Sequence, residues 1–120
     1  DAANALNGLP HVSVEIQSDV AWIKEQMPSF YCVAQGSVTS DPPKFIKVSY
    51  NPPNAVKKLA YVGKTVIFDT GGYQVKPGNA MVTMKGDMTG GAMVLAAVKA
   101  LAELNAPVAV TAYLAATPNK

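Results

Sequence analysis

The sequence predicts an α/β fold, three layers deep with a mixed central sheet, and three observations carry that expectation. Segments with strand and helix patterns alternate along 120 residues, about one domain's length. Short apolar runs at Leu59 to Val62, Val66 to Phe68 and Val108 to Ala112 read as strands buried on both faces. From Met88 to Leu104 the only charged side chains are Lys99 and Glu103, so that helix needs cover on most sides.

Each element follows from its local pattern. Asp1 to Leu6 has helical composition and stops at Asn7-Gly8-Leu9-Pro10. His11 to Gln17 alternates, with Val12, Val14 and Ile16 on one face, and predicts a half-buried strand with His11 at the surface. Ser18 is placed to cap a helix beginning at Asp19, whose face carries Val20, Ile23 and Met27 before Pro28 ends it. Phe30 to Ala34 is apolar and stops at Gln35-Gly36-Ser37, and a polar loop runs on to Pro43. Phe45 to Tyr50 alternates and closes at Asn51-Pro52-Pro53, which predicts a strand. Gly63-Lys64-Thr65 separates the next two apolar runs, and Asn105-Ala106-Pro107 precedes the last. Gly90 and Gly91, in the first turn of the long helix, cost about 1 kcal/mol each relative to Ala, so close packing against a backbone or a ligand is expected there.

Composition narrows the function classes. Charged residues make up 15%, below the usual quarter, which points to a piece normally covered by more protein. A net charge of +2 without a Lys or Arg cluster argues against a nucleic-acid or anionic-membrane partner. No apolar run reaches the roughly 18 residues of a membrane span, and no secretory leader is present, so a soluble cytoplasmic protein with a cut or processed start is expected. Cys32 is alone between apolar neighbours, which excludes an internal disulfide and predicts a buried thiol.

Chemistry concentrates between Lys64 and Gly91. An apolar strand carries Asp69 into a Gly71-Gly72 turn, Asp87 stands where the long helix begins, and Lys64 and Lys76 flank the first carboxylate. Strand ends and helix starts are where α/β folds hold their reactive groups. A lysine is ordinarily a cation and repels metal ions, but burial and an adjacent dication both favour its neutral, lone-pair form. Lys64 is then a candidate metal ligand, Asp69 a candidate bridge between two metals and Asp87 a ligand from the helix start, with Lys76 protonated and facing an oxyanion. Two dications carry four charges against the two of Asp69 and Asp87. The remaining acidic residues, Asp1, Glu15, Asp19, Glu25, Asp41 and Glu103, sit in surface-type segments, so the site reads as half built. Taken singly, the same residues are ordinary features: a turn aspartate, a helix cap and two solvated lysines.

Together these residues resemble the leucine aminopeptidase family, the dinuclear M17 metallopeptidases also called cytosol aminopeptidases. The matching positions are Val62, Gly63, Lys64, Phe68, Asp69, Thr70, Gly71, Gly72, Lys76, Met84, Asp87, Met88 and Gly90. Val33 to Ser37 and Lys44 to Pro52 extend the resemblance upstream. Thr65 and Thr89 stand where glycine is usual, and Pro118 replaces the glutamate of the family's Glu-Asn-Met-Pro-Ser-Gly loop. The family's later Asn-Thr-Asp-Ala-Glu-Gly-Arg motif is absent.

The resemblance implies that Lys64, Asp69 and Asp87 hold two divalent ions, zinc or manganese. It implies that Lys76 is the catalytic electrostatic or acid partner, and that Met84, with Lys76 and Asp87, binds substrate. It also implies removal of the first residue from peptides with a free N-terminus, by a hexamer when complete. Residues 1–120 are then expected to be the N-terminal half of a peptidase domain, with no separate second domain and no activity alone. Two alternatives stand beside this. Val66 to Gly71 also resembles the catalytic segment of a retroviral-type aspartic protease homodimer using Asp69, although Gly72 and the long apolar helix do not suit that fold. The other is a non-catalytic fragment of a split or truncated aminopeptidase.

Overall fold

Four strands, β1 (Val12–Gln17), β2 (Lys44–Tyr50), β3 (Lys57–Asp69) and β4 (Val108–Asn119), form one mixed sheet in the order β1-β2-β4-β3. These assignments come from a computed structural model that describes all of residues 1–120. β1 pairs with β2 and β2 with β4 antiparallel, whereas β3 lies parallel to β4. The parallel pair needs a crossover, and α4 (Thr89–Glu103) supplies it. Two seven-residue helices, α1 (Val20–Gln26) and α2 (Pro28–Ala34), and one turn, α3 (Gly78–Met81), complete a mixed α/β fold. No helix is long and apolar enough to cross a membrane.

The main core lies between the sheet and α4. Val48, Tyr50, Val110, Ala112 and Leu114 meet Val98 and Ala102 there, and Leu6 from the 3-10 turn Asn4–Leu6 closes one side. Tyr50 is buried because its hydroxyl donates to the Ala106 carbonyl at 3.0 Å, which satisfies its polar end. Ile23 and Ala34 are fully buried outside this cluster, with α2 packed against β4.

Several expectations change in detail. The cap of α1 is Asp19 and not Ser18, since its carboxylate accepts the Ala21 and Trp22 amides at 2.9 and 3.4 Å. Leu59 to Val62 and Val66 to Phe68 are one thirteen-residue strand, because Gly63 takes part in the ladder opposite Leu114 and does not turn. That strand is the sheet's edge, and its apolar side chains are not buried on both faces; Val62 is 80% exposed. β4 runs on to Asn119, and Pro118 is tolerated because β2 ends opposite Ala116, leaving β4 paired on one side only. Cys32 is exposed and not buried. Helix α4 buries Gly91, Val98 and Ala102, while Met93 and Leu104 on its other side are exposed.

Close packing explains both helix glycines. A methyl group on Gly91 would collide with Thr65 Oγ1 and come within 3.0 Å of Leu114, and one on Gly90 would meet the Lys64 backbone at 3.1 Å. The start of α4 therefore rests directly on β3, which places Asp87 beside the strand that carries Lys64 and Asp69.

Candidate metal and catalytic site

Asp69 and Lys64 are five residues apart, and a regular strand would point them to opposite faces. A bulge changes this. Val66 and Asp69, three apart, lie opposite Thr117 and Asn119, two apart, so one extra residue is absorbed and the alternation resets. Lys64 then faces Ala115 and Asp69 faces Asn119, positions four apart on β4, which puts both side chains on one face of the sheet.

Asp69 is 8% exposed, and both of its carboxylate oxygens meet donors. Oδ1 accepts the Gly71 amide at 2.8 Å and the Asn119 amide group at 3.0 Å; Oδ2 takes the Lys76 ammonium at 2.9 Å. Gly71 and Gly72 make this turn possible, having φ of 81° and 83°, values that side chains resist. Tyr73 and Gln74 continue in the same left-handed region, and the Lys76 amide closes the loop onto the Thr70 carbonyl at 3.0 Å. Burial pushes the Asp69 carboxyl up, but the hydrogen bond and charge of Lys76, with the Gly71 and Asn119 donors, outweigh it and hold the group below its ordinary 3.8.

That depression has a measurable consequence. The stabilisation from Asp69 is fully present above pH 3.8, the unfolded value, and is lost as pH falls through the lower folded value. With chelator present, the thermal midpoint is expected to drop below pH 3.8, and Asp69→Asn to remove that component of the drop. An acid limb unchanged by Asp69→Asn would show that the carboxylate does not contribute.

Asp87 follows the 3-10 turn Val82–Gly86 and precedes α4, its amide donating to the Met84 carbonyl at 3.3 Å. Its Oδ2 lies 3.0 Å from the Lys64 ammonium. The contact is close but misaligned for a hydrogen bond, so Oδ2 is a buried, charged oxygen with no hydrogen-bond partner. Such an oxygen is expensive to keep unless a cation or donor meets it. The Lys64 side chain is 61% exposed, so burial, which the sequence reading invoked to neutralise it, is not at work in this structure.

The four polar residues thus meet as two ion pairs, Lys64 with Asp87 and Lys76 with Asp69, and neither lysine lies within 4 Å of the other pair's carboxylate. Met84 is half-buried in the turn before Asp87. The other acidic residues are exposed, as expected, and no three His, Cys, Asp or Glu side chains cluster to hold a metal ion. The Asp87 oxygen, paired with the Lys64 amine but without a hydrogen bond, fits one side of a cation site, and the charge shortfall persists. Sequence reasoning missed Asn119, whose only signal was its match to the Asn of the Glu-Asn-Met loop.

Comparison with known proteins converges on the same class. The model of the "Cytosol aminopeptidase family, catalytic domain" matches residues 1–120. A probable cytosol aminopeptidase of Leifsonia xyli is 45% identical over 108 residues, covering 90% of this chain and 21% of the relative. The bottromycin maturation enzyme BotP in complex with Mn superposes with a TM-score of 0.82 at 31% identity, covering 98% of this chain and 26% of that one. The cytosol aminopeptidase of Coxiella burnetii gives 0.83 at 28% identity, covering 99% and 26%. The chain thus spans about a fifth of the length of the curated relatives it matches. The aspartic-protease alternative is left without support, since a fifteen-residue helix crosses between parallel strands. Matched from end to end by that family's catalytic domain, the chain belongs to the cytosol aminopeptidase family, the M17 peptidases.

Proposed function

We propose that these residues form part of the active site of a leucyl aminopeptidase, an enzyme that removes the N-terminal residue of peptides. Lys64, Asp69 and Asp87 would hold divalent metal ions, and Met84 would line the pocket for the first side chain. Bound metal would supply a polarised carbonyl and an activated water. The observation that carries the reading is the buried Asp87 oxygen with no hydrogen bond and an amine 3.0 Å away. Manganese and zinc are the candidate ions; manganese is present in the BotP complex.

Lys76 fits a second role. Its ammonium is held at one place by Asp69, and a fixed cation beside a reacting carbonyl stabilises the oxyanion that forms there. The sheet would be the centre of a three-layer α/β/α domain, a view supported by α4 and α2 both packing against β4. A cytosolic location and a hexamer belong to the same proposal. Because two carboxylates cannot balance two dications, residues 1–120 by themselves are expected to bind metal weakly and not to hydrolyse leucyl amides. Robust turnover by the isolated 120 residues would contradict this.

Asp87→Asn tests the proposal directly. In a full-length enzyme carrying these residues, the variant is expected to bind Mn²⁺ about 100-fold more weakly by calorimetry. Its metal-free thermal midpoint should stay near the parent's, because the ion pair that is lost leaves Lys64 exposed and solvated. Parental Mn²⁺ affinity in Asp87→Asn would eliminate this residue as a ligand.

A further inference from the structure

The side chain of Asn119 is held in place by main-chain contacts that do not depend on it. Its carbonyl accepts both the Thr70 amide and the Thr70 hydroxyl, at 2.9 and 3.0 Å. Its backbone sits in register opposite Asp69. From that anchor the amide Nδ2 donates to Asp69 Oδ1 at 3.0 Å. The amide must present its nitrogen there, because its oxygen would repel the carboxylate.

We infer that Asn119 is a positioning residue that selects which oxygen of Asp69 is offered to metal. A carboxylate oxygen has two lone-pair directions. On Oδ1 both are taken, by Gly71 and Asn119, whereas Oδ2 meets only the Lys76 ammonium and keeps one direction open. Without the Asn119 amide, Oδ1 keeps one donor and the carboxylate loses one of the three contacts that fix its last torsion. Outer contacts of this kind orient metal ligands and typically tune affinity by about 10–100-fold. The inference rests on the proposed role of Asp69 as a ligand.

The test uses a full-length enzyme carrying these residues, with Asn119→Ala, Asn119→Ser and Asp69→Asn compared by Mn²⁺ calorimetry, urea unfolding without metal, and kinetics. Both Asn119 variants should bind Mn²⁺ about 10–100-fold more weakly, beyond any fall in their metal-free midpoint. Saturating Mn²⁺ should restore most of their kcat with KM unchanged, but should not rescue Asp69→Asn. Serine stays polar but is too short to reach Asp69, so it stands in if the alanine variant folds poorly. Parental Mn²⁺ affinity in both Asn119 variants, with affinity lost in Asp69→Asn, would overturn the inference and leave the metal site intact. Affinity falling only in step with metal-free stability would overturn it in favour of a structural role. Parental affinity in Asp69→Asn would remove the ligand role and the inference with it.

Discussion

Replacing Asp69 with alanine in a full-length enzyme carrying these residues is expected to abolish leucyl-amide hydrolysis and also to weaken the fold. The sequence alone predicts the first effect without the second, since a carboxylate at a strand end looks free of the core. The structure adds the second. Asp69 gathers three donors: the Gly71 amide, the Asn119 amide group and the Lys76 ammonium. Alanine would leave all three unpaired in a pocket where Asp69 is 8% exposed. Lys76 is 30% exposed and regains water, so its share of the loss is small. The two amides are less able to do so, and a cost of about 2–3 kcal/mol follows. Activity should fall by about 10³-fold or more if a metal ligand is lost. Urea unfolding beside an activity assay measures both, and an alanine variant of parental stability would refute the hub role assigned to the carboxylate.

The second large effect is expected at Gly63, far from any reacting atom. Its position is buried, and a methyl group there would lie 2.7 Å from Gly91 Cα and 2.9 Å from the Gly90 carbonyl oxygen. Both neighbours are backbone, so no flexible side chain can give way. Gly63→Ala must push the start of α4 off β3 and carry Asp87 away from Lys64, whose 3.0 Å contact spans that junction. Overpacking of this kind costs about 1–3 kcal/mol. Gly63→Ala should therefore unfold at lower urea and bind Mn²⁺ more weakly in the full-length enzyme. Gly8→Ala is the control, since nothing lies within 4 Å of a methyl group there and stability should be unchanged. Equal midpoints for Gly63→Ala and the parent would show that α4 is not seated as described.

Much of the element order was legible from residue type. The alternation at His11 to Gln17, and the aromatic and β-branched residues of Phe45 to Tyr50, predicted strands, and both form. The glycine pair opening α4 signalled close packing because each glycine costs a helix about 1 kcal/mol relative to Ala, and the neighbours proved to be the Lys64 backbone and the Thr65 and Leu114 side chains. Edge position was not legible. Leu59 to Phe68 has the same apolar content whether a second strand covers it or not, and only strand order makes β3 the edge. Cys32 was misread for a similar reason: apolar neighbours in sequence lie on different sides of a helix, and the outward side takes the thiol.

By itself the sequence determined the family, the α/β class and the polar residues worth watching, because spacing such as Lys64 to Asp69 to Lys76 is a local property of the chain. Tertiary structure decided which of them meet. A bulge between Val66 and Asp69 turns two residues of opposite parity to one face, and Asn119 reaches Asp69 only through strand pairing fifty positions away. Pairing register and bulges arise from the energies of whole ladders and packed faces, which no short stretch of residues contains.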